Sequence, residues 1–202
     1  VRAGRTNPNF LNAGLFVDQF LGPCSDFRRN VGILMFEFSR FNSKDFAQGA
    51  DFAAALDRFL SALPKGWNYG VEIRNRNFLS PEYFRMLASH RVTHIFNSWS
   101  DMPPVDEQLN EAESLSWDGA VAARFLLKPG RTYEKAVKEF SPYTEIKDTY
   151  EVGRTAAAEL IRKILLQKIR RQLFLYVNNR FEGNALLTIQ AILAILKANG
   201  LA

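Results

Sequence analysis

Charged side chains stand inside a segment that otherwise has the composition of a buried strand. In Val71–Asn75, Glu72 and Arg74 alternate with Val71 and Ile73, and successive side chains of a strand point to opposite faces. If helices cover the apolar pair, Glu72 and Arg74 point the other way, into the interior of a barrel. A carboxylate there could transfer protons, and a guanidinium group could hold an anion.

The same alternation places polar side chains near the C-terminal ends of other candidate strands. Glu37 and Arg124 each lie between apolar residues, Tyr176 and Asn178 share a face, and Asn97 ends a strand with its face ambiguous. Parallel sheets and barrels bind ligands at this end. We therefore predict Glu72 and Glu37 as catalytic residues. The predicted ligand-binding residues are Arg74, Asn97, Arg124, Arg131, Tyr176, Asn178 and Asn179.

Two interpretations of these charges stay open. Buried unpaired charges are very costly, so the four charged side chains must pair with one another or face water. They could line a pocket with two arginines for an anionic group and two carboxylates for acid–base work. They could instead form an ion-paired network that fills the barrel mouth. The paired amides of Asn178 and Asn179 favour the pocket slightly.

Five short apolar segments are predicted to position these residues. They are Gly32–Phe38, Tyr69–Asn75, His94–Trp99, Val121–Leu126 and Leu173–Asn179. Helical patterns follow most of them, and this alternation indicates βαβ units with a parallel sheet. No glycine-rich phosphate loop follows the first strand, so a dinucleotide-binding sheet has no positive support. The sequence predicts one α/β domain over residues 1–202, without a second domain.

The helix predictions rest on apolar spacing and on capping residues. A stripe from Phe52 to Leu63 predicts one helix, and Ser80-Pro81-Glu82 opens the next. Further helices are predicted near Val105–Leu115, over Arg154–Arg171 and over Asn184–Ala198. The long connection Leu127–Gln172 is either a functional loop or an extra helix with a surface excursion.

Composition limits the classes of function. The 202 residues contain one cysteine, Cys24, which favours a reducing compartment, and we expect a cytoplasmic protein without a membrane partner. The net charge is +5, with its clearest cluster in one predicted helix at Arg162, Lys163, Lys168, Arg170 and Arg171. A solvated helix face explains that cluster better than a phosphate-binding surface does, so nucleic acid is an unlikely partner. No metal or cofactor is predicted, because neither histidine has partners at ligand spacing.

Several segments resemble a known family. VEIRN (Val71–Asn75), HIFNSWSDMPP (His94–Pro104), ARFLLKPGRTY (Ala123–Tyr133) and YVNNRFEGNA (Tyr176–Ala185) resemble motifs of domain-of-unknown-function family 72, the YecE-like proteins. The resemblance covers roughly residues 10–199 and implies a TIM-type barrel without an established reaction. The matching positions are Glu72, Arg74, Arg124, Gly130, Arg131, Asn178, Asn179, Gly183, Asn184 and Ala185.

The chain departs from the family pattern at its start. The three strands that usually open such sequences have no equivalent here, so the five strands resemble the last five of eight. A partial (β/α) barrel exposes two strand edges, and we expect either self-association or a second chain that completes the barrel. Three functions remain: an enzyme-like barrel for a small anionic ligand (a sugar, phosphate ester or carboxylate), a noncatalytic module that binds nucleic acid through the basic helix, and a nonfunctional fragment of a longer barrel.

Overall fold

The computed structural model describes residues 7–111, 119–168 and 170–201. Within them, five strands form a parallel sheet whose spatial order equals the chain order, β1-β2-β3-β4-β5. The strands are β1 (Leu34–Glu37), β2 (Tyr69–Glu72), β3 (Thr93–Ser98), β4 (Val121–Phe125) and β5 (Leu173–Val177). The sheet curls into a half-barrel flanked by helices, which confirms the predicted partial TIM-type barrel.

Strand register brings the predicted site residues to one level of the sheet. Glu37 pairs with Glu72 across β1 and β2. Arg124 pairs with Asn97 of β3 on one side and with Tyr176 of β5 on the other. Because all five strands are parallel, their C-terminal ends share one rim, and these side chains point into its opening.

Helices follow the strands and cover the outer face. They are α1 (Ala13–Phe16), α2 (Gly22–Cys24), α3 (Gly49–Ser61), α4 (Pro81–Ser89), α5 (Val105–Glu111), α6 (Tyr133–Phe140), α7 (Glu151–Leu165), α8 (Asn179–Glu182) and α9 (Ala185–Ala198). A π-helical turn, Val17–Leu21, joins α1 to α2, and a 3-10 turn, Ser25–Asn30, leads towards β1. Ser80 caps α4 through its side chain, with Pro81 in the first turn, as the sequence predicts.

The outer face of the sheet carries a core of different composition at each end. Around β1 and β2 it is rich in phenylalanine, and rings such as Phe36, Phe38 and Phe52 pack edge to face or stacked. Around β4 and β5 it is built from alanine and leucine of α7, with Phe125 and Phe181 as its large rings. Inside the half-barrel, below the charged rim, Ile33, Ile95 and Ala122 form a separate apolar floor.

One helix prediction needs correction. The helix predicted over 154–171 ends at Leu165, so Arg162 and Lys163 lie on α7 whereas Lys168, Arg170 and Arg171 lie beyond its end. The prediction of five basic residues on one helix is therefore wrong. Arg171 instead donates to the carbonyl of Gly119.

The long connection between β4 and β5 contains α6 and α7, as the extra-helix interpretation of that segment required. For the predicted Val105–Leu115 helix, α5 is described to Glu111, and residues 112–115 lie outside the described ranges. Within those ranges, no helix combines the length and the apolar character needed to cross a membrane.

Candidate functional site

Four charged side chains meet at the rim of the half-barrel. Glu37 bridges two arginines, with Oε1 accepting from Arg74 Nη2 and Oε2 accepting from Arg124 Nη1 at 2.6 Å. Glu72 accepts from the same two arginines, from Nε of Arg74 at 3.3 Å and from Nη1 of Arg124. We call these four residues the rim quartet. Sequence alternation predicted their convergence, and the structure shows them as an ion-paired network.

The members of the rim quartet differ sharply in their access to solvent. The side chain of Glu72 is fully buried, whereas that of Glu37 is 38% exposed. Arg74 and Arg124 lie between these limits, at 14% and 22%. Glu37 therefore covers the solvent side of the two guanidinium groups, and Glu72 supports them from beneath.

Burial sets the protonation behaviour of the deepest member. Removal from water raises the pKa of Glu72 above its ordinary value, and the attraction and hydrogen bond of Arg124 only partly oppose this. For Arg124, burial alone would lower the pKa, but its hydrogen bonds to Glu37 and Glu72 outweigh that effect and raise it. Arg124 thus stays cationic, and Glu72 ionises less readily than an exposed glutamate does.

An aromatic ring and a cleft adjoin the quartet. The guanidinium carbon of Arg74 lies 3.8 Å from the centre of the Trp99 ring, so the cation stacks on the indole face. A cleft of about 610 Å³ opens beside Arg74, with Arg40 and Asp101 paired across its rim at 2.8 Å. Sequence analysis missed this Arg40–Asp101 pair, although each residue lies three positions after the end of a strand.

Asn97 belongs to the same interior level but is fully buried. Its Nδ2 donates to the carbonyl of Ile73 at 3.1 Å, and Oδ1 accepts no hydrogen bond from the described residues. Gln108 of α5, which sequence analysis also missed, brackets the backbone of Asn97: its Oε1 accepts from the Asn97 N–H and its Nε2 donates to the Asn97 carbonyl. This side-chain clamp fixes the end of β3 beside Arg124.

The remaining predicted ligand-binding residues do not join the quartet. Arg131 donates to Asp148 and to the carbonyl of Phe181. The side chain of Asn178 accepts from the N–H of Arg180 at the start of α8, and that of Asn179 accepts from the N–H of Ala185. Tyr176 is partly exposed on β5 beside Arg124. Ligand contacts by these four residues stay predictions.

The Asn-Asn…Gly-Asn-Ala motif builds a second polar centre, which sequence analysis did not identify. Glu182 is fully buried and accepts from Tyr150 N–H, from Arg154 Nε and from the hydroxyl of Thr188. Its backbone carbonyl also accepts from the amides of residues 147 and 148. Gly183 has φ of 118°, and a Cβ there would lie 2.5 Å from the carbonyl oxygen of Glu145, so only glycine fits. The motif fastens the long β4–β5 connection.

Metal ligation has no support in the part of the chain that the structure describes. No group of three or more histidine, cysteine, aspartate or glutamate side chains there is placed to hold an ion. His94 is buried on the outer face, with Nδ1 at 3.1 Å from the hydroxyl of Tyr83. In the rim quartet each carboxylate is paired with arginine, which disfavours binding of a cation there.

Comparisons with known proteins agree with the motif resemblance. The family model described as "Protein of unknown function DUF72" matches residues 9–201. A solved DUF72 family protein from Enterococcus faecalis superposes with a TM-score of 0.58 at 14% identity, with 88% of this chain and 64% of that chain covered. The chain thus spans less than two thirds of the solved protein's length. A search of curated proteins gave no significant match.

Proposed function

The chain belongs to the DUF72 family, and from that premise we propose that its strand ends bind a small anionic ligand through Arg74 and Arg124. One observation carries the proposal. Two guanidinium groups from different strands converge on one carboxylate, and both retain partial access to solvent. A phosphate ester, a carboxylate or a sugar that bears either group presents oxygens to such a pair.

The surroundings of the two arginines support binding over a purely structural role. Arg74 is held against Trp99, so its orientation is fixed before a ligand arrives, which lowers the entropic cost of binding. Glu72 holds both cations from beneath without reaching solvent. The cleft beside Arg74 has a volume of about 610 Å³, which is within the range of small-ligand sites.

If the site also performs chemistry, proton transfer falls to Glu37. A general acid or base must come within hydrogen-bond reach of the reacting group. Glu37 is partly exposed and faces the opening, whereas Glu72 is fully buried under both arginines. Of the two carboxylates predicted as catalytic, Glu37 is therefore the one that a ligand can touch, and Glu72 positions the cations.

Titration with inorganic phosphate tests the proposal. We expect Arg74→Ala and Arg124→Ala each to weaken phosphate binding by about tenfold or more, because each removes a charge-assisted hydrogen bond to the anion. Calorimetry or amide chemical shifts at constant ionic strength provide the measurement. Arg85→Ala is the matched control, since Arg85 is exposed on α4 and pairs only with Glu82 among the described side chains. Equal affinity in all four proteins would end the proposal.

A further inference from the structure

The anion position between Arg74 and Arg124 already has an occupant. One carboxylate oxygen of Glu37 binds each arginine, on the side that faces solvent. We infer that Glu37 is a built-in competitor for this site, and that an oxyanion binds by replacing both of its carboxylate oxygens. This inference rests on the proposed function and adds how the ligand enters and what kind of group it must carry.

Charge balance makes replacement necessary. Two arginines and two glutamates sum to zero, so the intact quartet offers an incoming anion no surplus positive charge. Glu72 cannot leave, because it is fully buried beneath the guanidinium groups. Glu37 is the exposed member, and its departure leaves a single positive charge directed at the opening. An anion that takes its place restores the balance.

The fold provides space into which the side chain of Glu37 can move. It lies at the C-terminal end of β1, which is the terminal strand of the sheet. Beside β1 is a second cavity of about 490 Å³, lined by Met35, Glu37 and Phe38 on the strand side and by Phe16 and Phe20 on the helix side. The side chain can therefore rotate away from the arginines without displacing any neighbouring strand. Glu72, in contrast, is fully buried.

The bridging geometry also selects the class of ligand. Glu37 contacts the two arginines with two oxygens bonded to one carbon, so the replacing group needs two oxygens on a single central atom. Carboxylates and phosphates meet this requirement, and guanidinium groups match both. A sugar without an acidic group cannot restore the charge that Glu37 removes. The expected ligand is thus a carboxylate or a phosphate ester.

The test compares Glu37→Gln with wild type in titrations with sodium phosphate and with sodium acetate at fixed ionic strength. Glutamine keeps the size of the side chain but removes the competing charge. If Glu37 covers the arginines nine tenths of the time, the variant binds about tenfold more tightly, because the competent state is then always populated. Comparing the titrations with phosphate and with acetate shows whether the site prefers a phosphate group or a carboxylate.

Glu159→Gln is the matched control for general electrostatics. It removes the same unit charge from a glutamate of α7 that, like Glu37, pairs with an arginine and is 38% exposed, but that lies outside the rim quartet and the cleft. Because exposed charges are screened by water and salt, we expect it to change affinity by less than about twofold. An equal gain in both variants would mean that net charge alone acts, and would overturn the inference.

The remaining outcomes are equally decisive. If wild type and Glu37→Gln bind both anions with the same affinity, replacement is wrong and the proposed function stands. If neither protein binds phosphate or acetate while both unfold cooperatively, the proposed function fails first. Glu37→Asp is a second variant in case glutamine disturbs folding: its shorter side chain keeps the charge but cannot bridge both arginines, so its affinity should fall between the other two. A structure of the phosphate complex should show Glu37 released into the cavity beside β1.

Discussion

Glu72 and Glu182 are both fully buried glutamates, yet their surroundings differ in kind. Glu72 faces the barrel interior, and both of its arginine partners retain contact with solvent. Glu182 lies among helices, where one arginine, a backbone amide and a hydroxyl enclose it. Full burial of a carboxylate therefore does not by itself indicate a functional site. What distinguishes the rim quartet is that two arginines from different strands, and not one, meet at the opening of the half-barrel and share a partly exposed outer carboxylate.

The largest expected effect follows from Glu182→Gln. The substitution removes the charge opposite Arg154 and points an amide donor at groups that are themselves donors. We expect the free energy of unfolding to fall by about 3–5 kcal/mol, because Glu182 is fully buried and its three donors would lose their charged acceptor. Urea denaturation measures it. Glu151→Gln is the control, since Glu151 also pairs with Arg154 but is largely exposed. If Glu151→Gln lowered the free energy of unfolding as much as Glu182→Gln does, burial of the carboxylate would not explain the loss.

The next largest effect on stability should come from acidification, which acts through His94. Burial lowers the pKa of His94 from 6.5 to about 4, so the folded protein binds this proton less readily than the unfolded chain. The stabilising contribution of His94 is therefore present above pH 6.5 and is lost as pH falls towards about 4, by about 3 kcal/mol in all. Urea unfolding of wild type and His94→Asn across this range checks it: their difference should shrink on acidification. A constant difference would contradict the assignment.

Glu72→Gln should cost less than Glu182→Gln and should depend on pH in the opposite sense to His94. Arg74 and Arg124 keep Glu37 and solvent as partners, so we expect a loss of at most about 1–2 kcal/mol, reached below pH 4.5. Burial raises the pKa of Glu72, so its contribution is fully present below about 4.5 and declines as pH rises through the folded value. The difference between wild type and variant should therefore shrink from pH 4.5 upwards. If it grew instead, the ion pairs would outweigh burial.

The smallest effect concerns Trp99, which touches the site only through Arg74. Trp99→Leu removes the ring beneath the guanidinium group and leaves the rim quartet otherwise intact. We expect phosphate affinity to fall about threefold, equivalent to about 0.6 kcal/mol, with little change in the response to Glu37→Gln. Calorimetric titration of the single and double variants measures both quantities. A loss as large as that of Arg74→Ala would mean that Trp99 contacts the anion itself.

The sheet and the rim quartet could be predicted from the sequence, because both follow from the two-residue alternation of side chains along a β-strand. Apolar residues at alternate positions had to face the helices, so Glu37, Glu72 and Arg124 had to face the interior. Family resemblance to DUF72, carried by the same strands and by the Asn-Asn motif, is confirmed over residues 9–201. The alternation left the face of Asn97 ambiguous, and the structure places it inside.

Other parts of the site could not be predicted because they depend on tertiary contacts. Arg131 stays a predicted ligand-binding residue, but its pairing with Asp148 of the following connection could not be predicted. Asn178 and Asn179 serve the turn that begins α8 and the start of α9, which no strand pattern encodes. The buried position of Glu182 could not be predicted, because its partners come from the start of α7, from α7 itself and from α9. Long-range polar partners carry no local periodicity, so sequence spacing does not reveal them.

The identity of strand order and chain order has a consequence for the protein as it leaves the ribosome. β1 and β2 are made before β4, and their pairing sets Glu37 directly beside Glu72 when Arg74 is the one arginine of the rim quartet already present. Like charges placed opposite each other in neighbouring strands disfavour pairing. Arg124 arrives with β4, two strand–helix units later. We therefore expect β1 and β2 to pair weakly until β4 supplies the second arginine of the rim quartet.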